Sequence, residues 1–576
     1  MCFLTSVKWR TGMLLSLVTL LAIASAIVVP TVLHGRTAAY ASSGVTMFNG
    51  NRITLGPPLP LNLSTQHVAA MAQKQPRLPL TPRHRNQSLS TTQALAQLPG
   101  VASTQMQDRL LLHNFAGLNS VDTFNANGFV LEPPDQGLCI GFFQGQKAVG
   151  EIVNNAVAFY TPAGTLLVGP ISLNGFFNEP ASEFTIDPRC SYDPQTQAFF
   201  FTMLAADSTL TNHVDIGVLH QNGSGLVYQV DTTFANNTAG QCPCVADQPK
   251  FGIDKNNVYI SVDQFDTTVT FETGAALMAI SKSQLVAGTS AANGVEYLNL
   301  ALNGIGITGL MPAVSTTTVG TEFLLNSFPF ADAAQTRPNA VSNTLGLWSL
   351  PDAADLTLGQ VPVLSARTIT SELFGFPVPA LTTNGLSLAT FTDDDRMQQV
   401  QFINGHLWAA LTSAVTVAGD PVTRDGAAWF EIEPQVESDQ TISIRSLFTD
   451  QGYIASAGFY LINPAIAAAN DGTVGVAFTL TNQKLDPSTG FIVRKAGARI
   501  FNHIHLSGRG AGPDIGFSCA QGAPQQCRWG DYSAVALDPN SNDIWMASEN
   551  TVPQVQTLGP NNQTNWGTRI WDIDGE

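Results

Sequence analysis

The sequence predicts an all-β protein, a β-propeller of six or seven blades with seven favoured, preceded by a signal peptide and a disordered linker. Three observations point there. Only 12% of the 576 residues are charged, while Gly (49) and Phe (32) are plentiful, a composition of turn-rich β chains rather than helical ones. Short alternating runs bounded by Asp-Pro, Asn-Gly and Asn-Asp-Gly recur at spacings of roughly 50 to 85 residues, about four strands to a copy, as blades do. No Pro/Gly-rich linker separates these copies after His113, which argues against a long array of β-sandwiches.

The N-terminus, residues 1–41, reads as an export signal. Lys8 and Arg10 precede an apolar run from Met13 to Leu33, and Ala39-Tyr40-Ala41 supplies an A-x-A cleavage pattern. The run is also close to the ~20 residues of a membrane span, so an uncleaved anchor is the alternative reading. Residues 42–110 are rich in Pro, Gln, Ser and Thr. Up to Leu112 this stretch carries six basic residues and one acid, a net of +5. It lacks a period of 3.6 or 2, so an exposed linker is expected, with a tether to acidic cell-wall polymers or anionic lipid as its functional alternative.

Residues 111–576 are the expected propeller. From His113 onward 17 basic residues face 42 acidic ones, a net of −25. Such a body repels phosphate backbones, so no nucleic-acid partner is expected. Membrane contact is expected only through an N-terminal anchor, and the chain is expected to be a monomer.

The copies begin with PPDQGLCIGFFQGQKAVGEIV from Pro133. They continue as DPRCSYDPQTQAFFFTM from Asp187, DQPKFGIDKNNVYISV from Asp247 and, more loosely, MPAVSTTTVGTEFLLNS from Met311. DRMQQVQFINGHLWAAL from Asp395, NPAIAAANDGTVGVAF from Asn463 and GDYSAVALDPNSNDIWMAS from Gly530 complete the series. Each has a polar or Pro-containing start, a strand, a tight turn and a second strand. The turn residues supply side-chain turn bonds, a preset φ or a tolerated positive φ. Alternation on either side gives each strand two faces.

Seven cysteines become six once Cys2 leaves with the signal, an even number suited to disulfides in an exported chain, with the pairing open. Cys519 and Cys527 lie eight apart in a Gly/Pro/Gln loop, and Cys139 and Cys190 can join neighbouring strands. Cys242 and Cys244 in QCPCVADQ have a metal-like or redox-like spacing. No second Cys or His pair follows at zinc spacing, so a structural role is expected.

The stretches PPDQGLCIG, VGEIVNNAVAFYTPAGTLL, DPRCSYDPQTQAFF, DQPKFGID and WGDYSAVALDP run in order from about Leu111 to the C-terminus. Together they resemble secreted bacterial β-propeller proteins of the sialidase-like (BNR-type) group. The resemblance implies an extracellular propeller of six or seven blades; the group has no established activity. Kinship with sialidases proper would imply an arginine cluster holding a carboxylate, a Tyr nucleophile with a Glu partner, an Asp acid and S-x-D-x-G-x-T-W turns. Arg189, Arg396 and Arg528 stand beside Asp187, Asp395 and Asp531 where copies start, with Tyr532 adjacent. Asp135 and Asp247 hold the matching place in two further copies.

Strands at that place line a propeller's channel, so these nine residues form the candidate site. Arg suits bidentate carboxylate binding, and paired carboxylates suit glycosidic acid/base work. The Arg-Ile-Pro motif of sialidases is missing, however, and the turns are degenerate. The bland alternative assigns the Asp residues to backbone N–H groups and the basic residues to pairs between blades.

Other chemistries find less support. There is no G-x-S-x-G elbow, phosphate-cradling Gly loop or H-E-x-x-H helix. His503 and His505 share a strand face but lack a third ligand. Asp393, Asp394 and Asp395 offer oxygens for Ca²⁺, the one cofactor with any support, without the spacing of a known calcium loop. The fitting function is an exported or cell-surface propeller that binds an extracellular carbohydrate or protein ligand, with no evident catalytic motif. A sialidase-like glycoside hydrolase and a purely structural cell-surface protein are the alternatives.

Overall fold

A computed structural model of the chain describes residues 44–64, 83–84, 98–107 and 111–574, apart from 236, 238–241, 269–270, 316–319, 329–340, 352, 391–394, 446–449, 521–525 and 560–561. The expected signal segment and the calcium candidates Asp393 and Asp394 lie outside the described residues.

Seven antiparallel strand groups follow one another along the chain, each built outward from its first strand, with the third, fourth and fifth joined into one continuous sheet. Those first strands are Gly137–Phe143, Phe184–Asp193, Val245–Ile253, Met311–Ser315, Met397–Ile403, Tyr460–Ala468 and Ala534–Leu537. They begin blades 1 to 7 of a β-propeller, so the favoured count of seven holds among the described residues. Each repeat copy read in the sequence falls on the first two strands of one blade. First strands of blades 3, 4 and 5 also pair in parallel, at Ile253↔Val314 and Ala313↔Val400, which places them innermost.

Alternation sends one side of each sheet toward the preceding blade and the other toward the next. Phe159, Phe199 and Phe201 pack between blades 1 and 2, and Ile216, Tyr228, Val258 and Ile260 between blades 2 and 3. Each such side chain, fully buried, is worth about 1.5–3 kcal/mol relative to exposure. The turn residues act as their chemistry requires. Asp538 accepts from the N–H of Asn540 at 2.9 Å, and Asp254 from Asn256 and Asn257 at 2.7 and 2.8 Å.

Closure joins the two ends of the body. Blade 7 takes its fourth strand, Asn114–Asn119, from before blade 1, paired antiparallel with Asn562–Ile573. Glu151 of blade 1 latches this seam by accepting from the Leu118 N–H at 2.8 Å and from the Thr568 hydroxyl. A Cβ on Gly117 would sit 2.5 Å from a Glu151 oxygen, so any larger residue there would displace the latching carboxylate.

The stretch 42–110 departs from the expected bare linker wherever it is described. Thr46–Asn49 pairs the outer strand of blade 4, Asn51–Thr54 that of blade 3 and Leu59–Pro60 that of blade 2. Gly100–Val101 then pairs with blade 5, and Met106 bridges to Ile504. The physical reason is that a blade's outer edge presents unpaired N–H and C=O groups that any extended segment can use. Such pairing needs backbone alone, with only occasional anchors such as Phe48 stacked on Trp348 at 5.4 Å.

Three disulfides complete the frame. Cys139–Cys190 ties the innermost strands of blades 1 and 2, while Cys242–Cys244 and Cys519–Cys527 close short loops.

Candidate ligand site at the propeller axis

Five of the seven innermost strands start with a kink at the axis. The chain takes a positive φ at Asp135 (46°), Asp187 (55°), Gln248 (45°), Gly309 (63°) and Asn463 (54°). Bulges follow in blades 2, 3 and 6, between Ile186 and Arg189, Asp247 and Lys250, and Ile462 and Ala465. Counting back along the interblade register Ile253↔Val314↔Gln401 puts Gln248, Gly309 and Arg396 side by side. A left-handed backbone in a non-glycine residue costs on the order of 1–3 kcal/mol and persists only where neighbours over-determine it.

The neighbours do so through a ring of hydrogen bonds between blades. Asp187 accepts from the Gln248 N–H at 3.1 Å, and Gln248 donates through its side chain to Asp531 at 3.0 Å. The Asp531 N–H donates to Asp135 at 2.7 Å, and Asn154 donates to the other Asp135 oxygen at 2.7 Å. Arg396 donates to the Gln248 carbonyl oxygen of its side chain and, at 3.0 Å, to Asp263. Lys250 reaches the same Asp263 oxygen at 2.7 Å.

Just below, Arg189 lies over the Tyr532 ring, its Cζ 3.3 Å from the centroid, and donates to the Gln398 carbonyl at 3.1 Å. Tyr532 donates its hydroxyl to the Pro188 carbonyl at 3.0 Å. Beneath this plug lies an axial cavity of about 80 Å³, bounded by Gly137, Arg189, Met311, Gln398, Ala467 and Leu537. That is room for a few waters, well short of the ~300 Å³ of a small-molecule pocket.

Five carboxylates (Asp135, Asp187, Asp247, Asp263, Asp531) share this region with four cations (Arg189, Lys250, Arg396, Arg528). Burial, with Asp247, Asp135 and Asp531 nearby, pushes Asp187 well above the ordinary carboxylate range. Burial and Asp135 do the same to Asp531. Asp263 moves the other way, because Lys250 and Arg396 outweigh its burial. Burial lowers Lys250 and Arg189 from their usual values. The cluster therefore drives the proton affinities of its acids apart.

Of the nine sequence candidates, Asp135, Asp187, Arg189, Arg396, Asp531 and Tyr532 meet in this plug. Asp247 sits one residue before the ring position that Gln248 fills and feels Arg396 and Asp263. Asp395 likewise precedes Arg396 and accepts from Ser327 at 3.0 Å. Arg528 stands at the rim, its side chain 28% exposed and 3.9 Å from Asp531. The sequence reading missed Gln248, Lys250 and Asp263. A signal for the first was present, since Pro249 follows Gln248 as Pro188 follows Asp187 and Pro464 follows Asn463. His503 and His505 do not act together: His503 is exposed, while His505 is buried against Phe491 and bonded to the Gln107 carbonyl.

No protein-family model matches the chain, and no curated protein does. Among solved structures it is similar to the Penicillium chrysogenum α-L-arabinanase complexed with arabinobiose, at 9% identity and a TM-score of 0.34, over 81% of this chain and 99% of that one. Similarity extends to the phage phi92 endosialidase, at 7% identity and a TM-score of 0.34, over 82% and 68%. The Fusarium graminearum GH93 α-L-arabinofuranosidase matches at 6% identity and 0.32, over 80% and 98%.

Proposed function

We propose that this chain is an exported β-propeller that binds an extracellular ligand, carbohydrate or protein, at the axial mouth where the innermost strands begin. The observation that carries the reading is Asp531. One of its oxygens is buried without a hydrogen-bond partner, and beside it Arg528 runs from the plug to the surface. A carboxylate with one oxygen still open and a guanidinium at a rim suit the hydroxyl and carboxylate groups of glycans or acidic side chains. Three disulfides support an oxidising compartment, in keeping with the N-terminal export pattern.

A second reading, glycoside hydrolysis, has one observation in its favour. Burial and neighbouring carboxylates raise Asp187 and Asp531 while Lys250 and Arg396 lower Asp263, opposite shifts of the kind that acid/base pairs show. Against it, the Tyr532 hydroxyl is sealed on Pro188 and the axial cavity is too small for a sugar ring.

Glycan and protein arrays with the chain lacking residues 1–41, followed by calorimetry, test the proposal. Arg528→Ala should weaken binding about tenfold or more with the fold intact by circular dichroism. Turnover of aryl glycosides that Asp531→Asn abolishes would establish the hydrolase instead. Arrays blank with and without Ca²⁺ would leave a structural role.

A further inference from the structure

Away from the axis, on the outer half of blade 2, three metal-ligating side chains converge. His213 and Asp215 lie on the strand Asn212–His220, two residues apart and therefore on one face. Glu179 reaches them from the turn after the short helix Leu173–Phe177, where its N–H is held by the Asn174 carbonyl. The His213 Nε2 is 3.4 Å from Asp215 Oδ1 and 3.5 Å from Glu179 Oε1.

We infer that Glu179, His213 and Asp215 form a transition-metal site, with Zn²⁺ the best-fitting ion. Tetrahedral Zn²⁺ with bonds of about 2.0–2.1 Å separates its ligand atoms by about 3.3–3.4 Å. The two His213 distances therefore need almost no adjustment to embrace an ion. An imidazole nitrogen among the ligands disfavours Ca²⁺ and Mg²⁺, which take oxygen.

Asp215 provides the independent reason. Its side chain is fully buried, and neither carboxylate oxygen makes a hydrogen bond of ordinary geometry, the contact of Oδ1 with the His213 Nε2 being 3.4 Å long. A buried carboxylate so placed calls for a cation or an unseen donor. His213, with its side chain 20% exposed, leaves a path from solvent. The Gln229 side chain, paired in register with Asp215, lies 2.7 Å from Glu179 Oε1 and 3.1 Å from His213 Nε2. Its amide can turn an oxygen toward the fourth position, or leave that position to water.

Without metal the cluster holds protons in the ion's place. Burial pushes Asp215 up to about 8; for His213, burial works downward but is outweighed by the adjacent Asp215 and Glu179 carboxylates, which raise it to about 10. Ordinary ion pairing is thus the competing account, and metal binding distinguishes the two.

The test uses the chain lacking residues 1–41, stripped with EDTA and re-equilibrated with Zn²⁺. About one equivalent should survive gel filtration by elemental analysis, and the melting temperature should rise with Zn²⁺. His213→Ala and Asp215→Asn should each weaken Zn²⁺ binding at least about tenfold in a chelator competition, while His503→Ala should not. Should either variant fail to fold, Co²⁺ added to the unaltered chain should give the intense visible absorption of a tetrahedral site. Retention of less than about a tenth of an equivalent with no tetrahedral Co²⁺ spectrum, or undiminished binding in the folded His213→Ala variant, would overturn the assignment.

Discussion

Asp263→Asn is the sharpest probe of the axial plug. The substitution keeps the shape and removes one negative charge, against which Lys250 and Arg396 are held at 2.7 and 3.0 Å. Lys250 is fully buried and Arg396 nearly so. Breaking one buried ion pair costs about 3–5 kcal/mol, because the surviving charge is left uncompensated. Here one carboxylate serves two cations, so the loss should reach the upper end, about 5 kcal/mol.

Lys250→Met strands less, since Asp263 keeps Arg396, and should cost about 1–3 kcal/mol. Equilibrium urea unfolding at pH 7 measures both. The pH dependence follows from the direction of the shift. Asp263 is held below the ordinary carboxylate value, so its stabilisation is present above the unfolded value near 3.8 and is lost as pH falls through the folded one. The gap between native chain and Asp263→Asn should therefore narrow on acidification. A loss below about 1 kcal/mol, or Lys250→Met costing as much as Asp263→Asn, would refute the reasoning.

Three further outcomes are expected. Burial raises Glu151 to about 7 in the folded chain, so ionising it costs stability progressively from about pH 4.5 to 7; Glu151→Gln should match the native chain below that window and exceed it by about 3 kcal/mol above, read from unfolding midpoints across pH. Cys139→Ser opens a disulfide spanning 51 residues between blades 1 and 2 and should cost about 4 kcal/mol on loop-closure entropy, measured by unfolding under non-reducing conditions. Removing residues 1–64 strips the outer edges of blades 2 to 4 and uncovers Trp348, now fully buried under Phe48; red-shifted tryptophan fluorescence and new protease cuts in the outer strand Val363–Gly375 should report it.

The blades were legible because their signals are local. A strand, an Asx or Gly turn and a second strand occupy about 17 consecutive residues, so Asp538 or Asn404 announces a hairpin without knowledge of anything distant. The wrapping segment was not, since Leu59–Pro60 and Thr46–Asn49 gain their structure from edges far downstream, at Leu226–Val227 and Val363–Ala366. Their own side chains carry little of that pairing, and Pro-rich composition reads the same in a linker and in an edge strand.

The axis shows where aligning by residue type fails. Matching every Asp at the start of a copy placed Asp247 and Asp395 in the ring, whereas the interblade register gives those places to Gln248 and Arg396. Backbone geometry, not charge, is what repeats: a kink that must be met by Asp, Asn, Gln or Gly in five blades. Charge enters afterwards, as each ring residue finds the backbone or side chain of a neighbour. Arg396 illustrates the consequence. It occupies a slot where blades 1 and 2 carry acids, and by doing so supplies a cation to Gln248 and Asp263 from the blade that lies beyond Gly309. Gly309 itself favours the absence of a side chain, since its φ of 63° strains any other residue and a Cβ there would crowd the Arg396 Cβ at 3.1 Å. The breaks in the repeat are therefore coupled, a missing side chain in blade 4 making way for a basic one in blade 5, and Asp263 sits where both are needed.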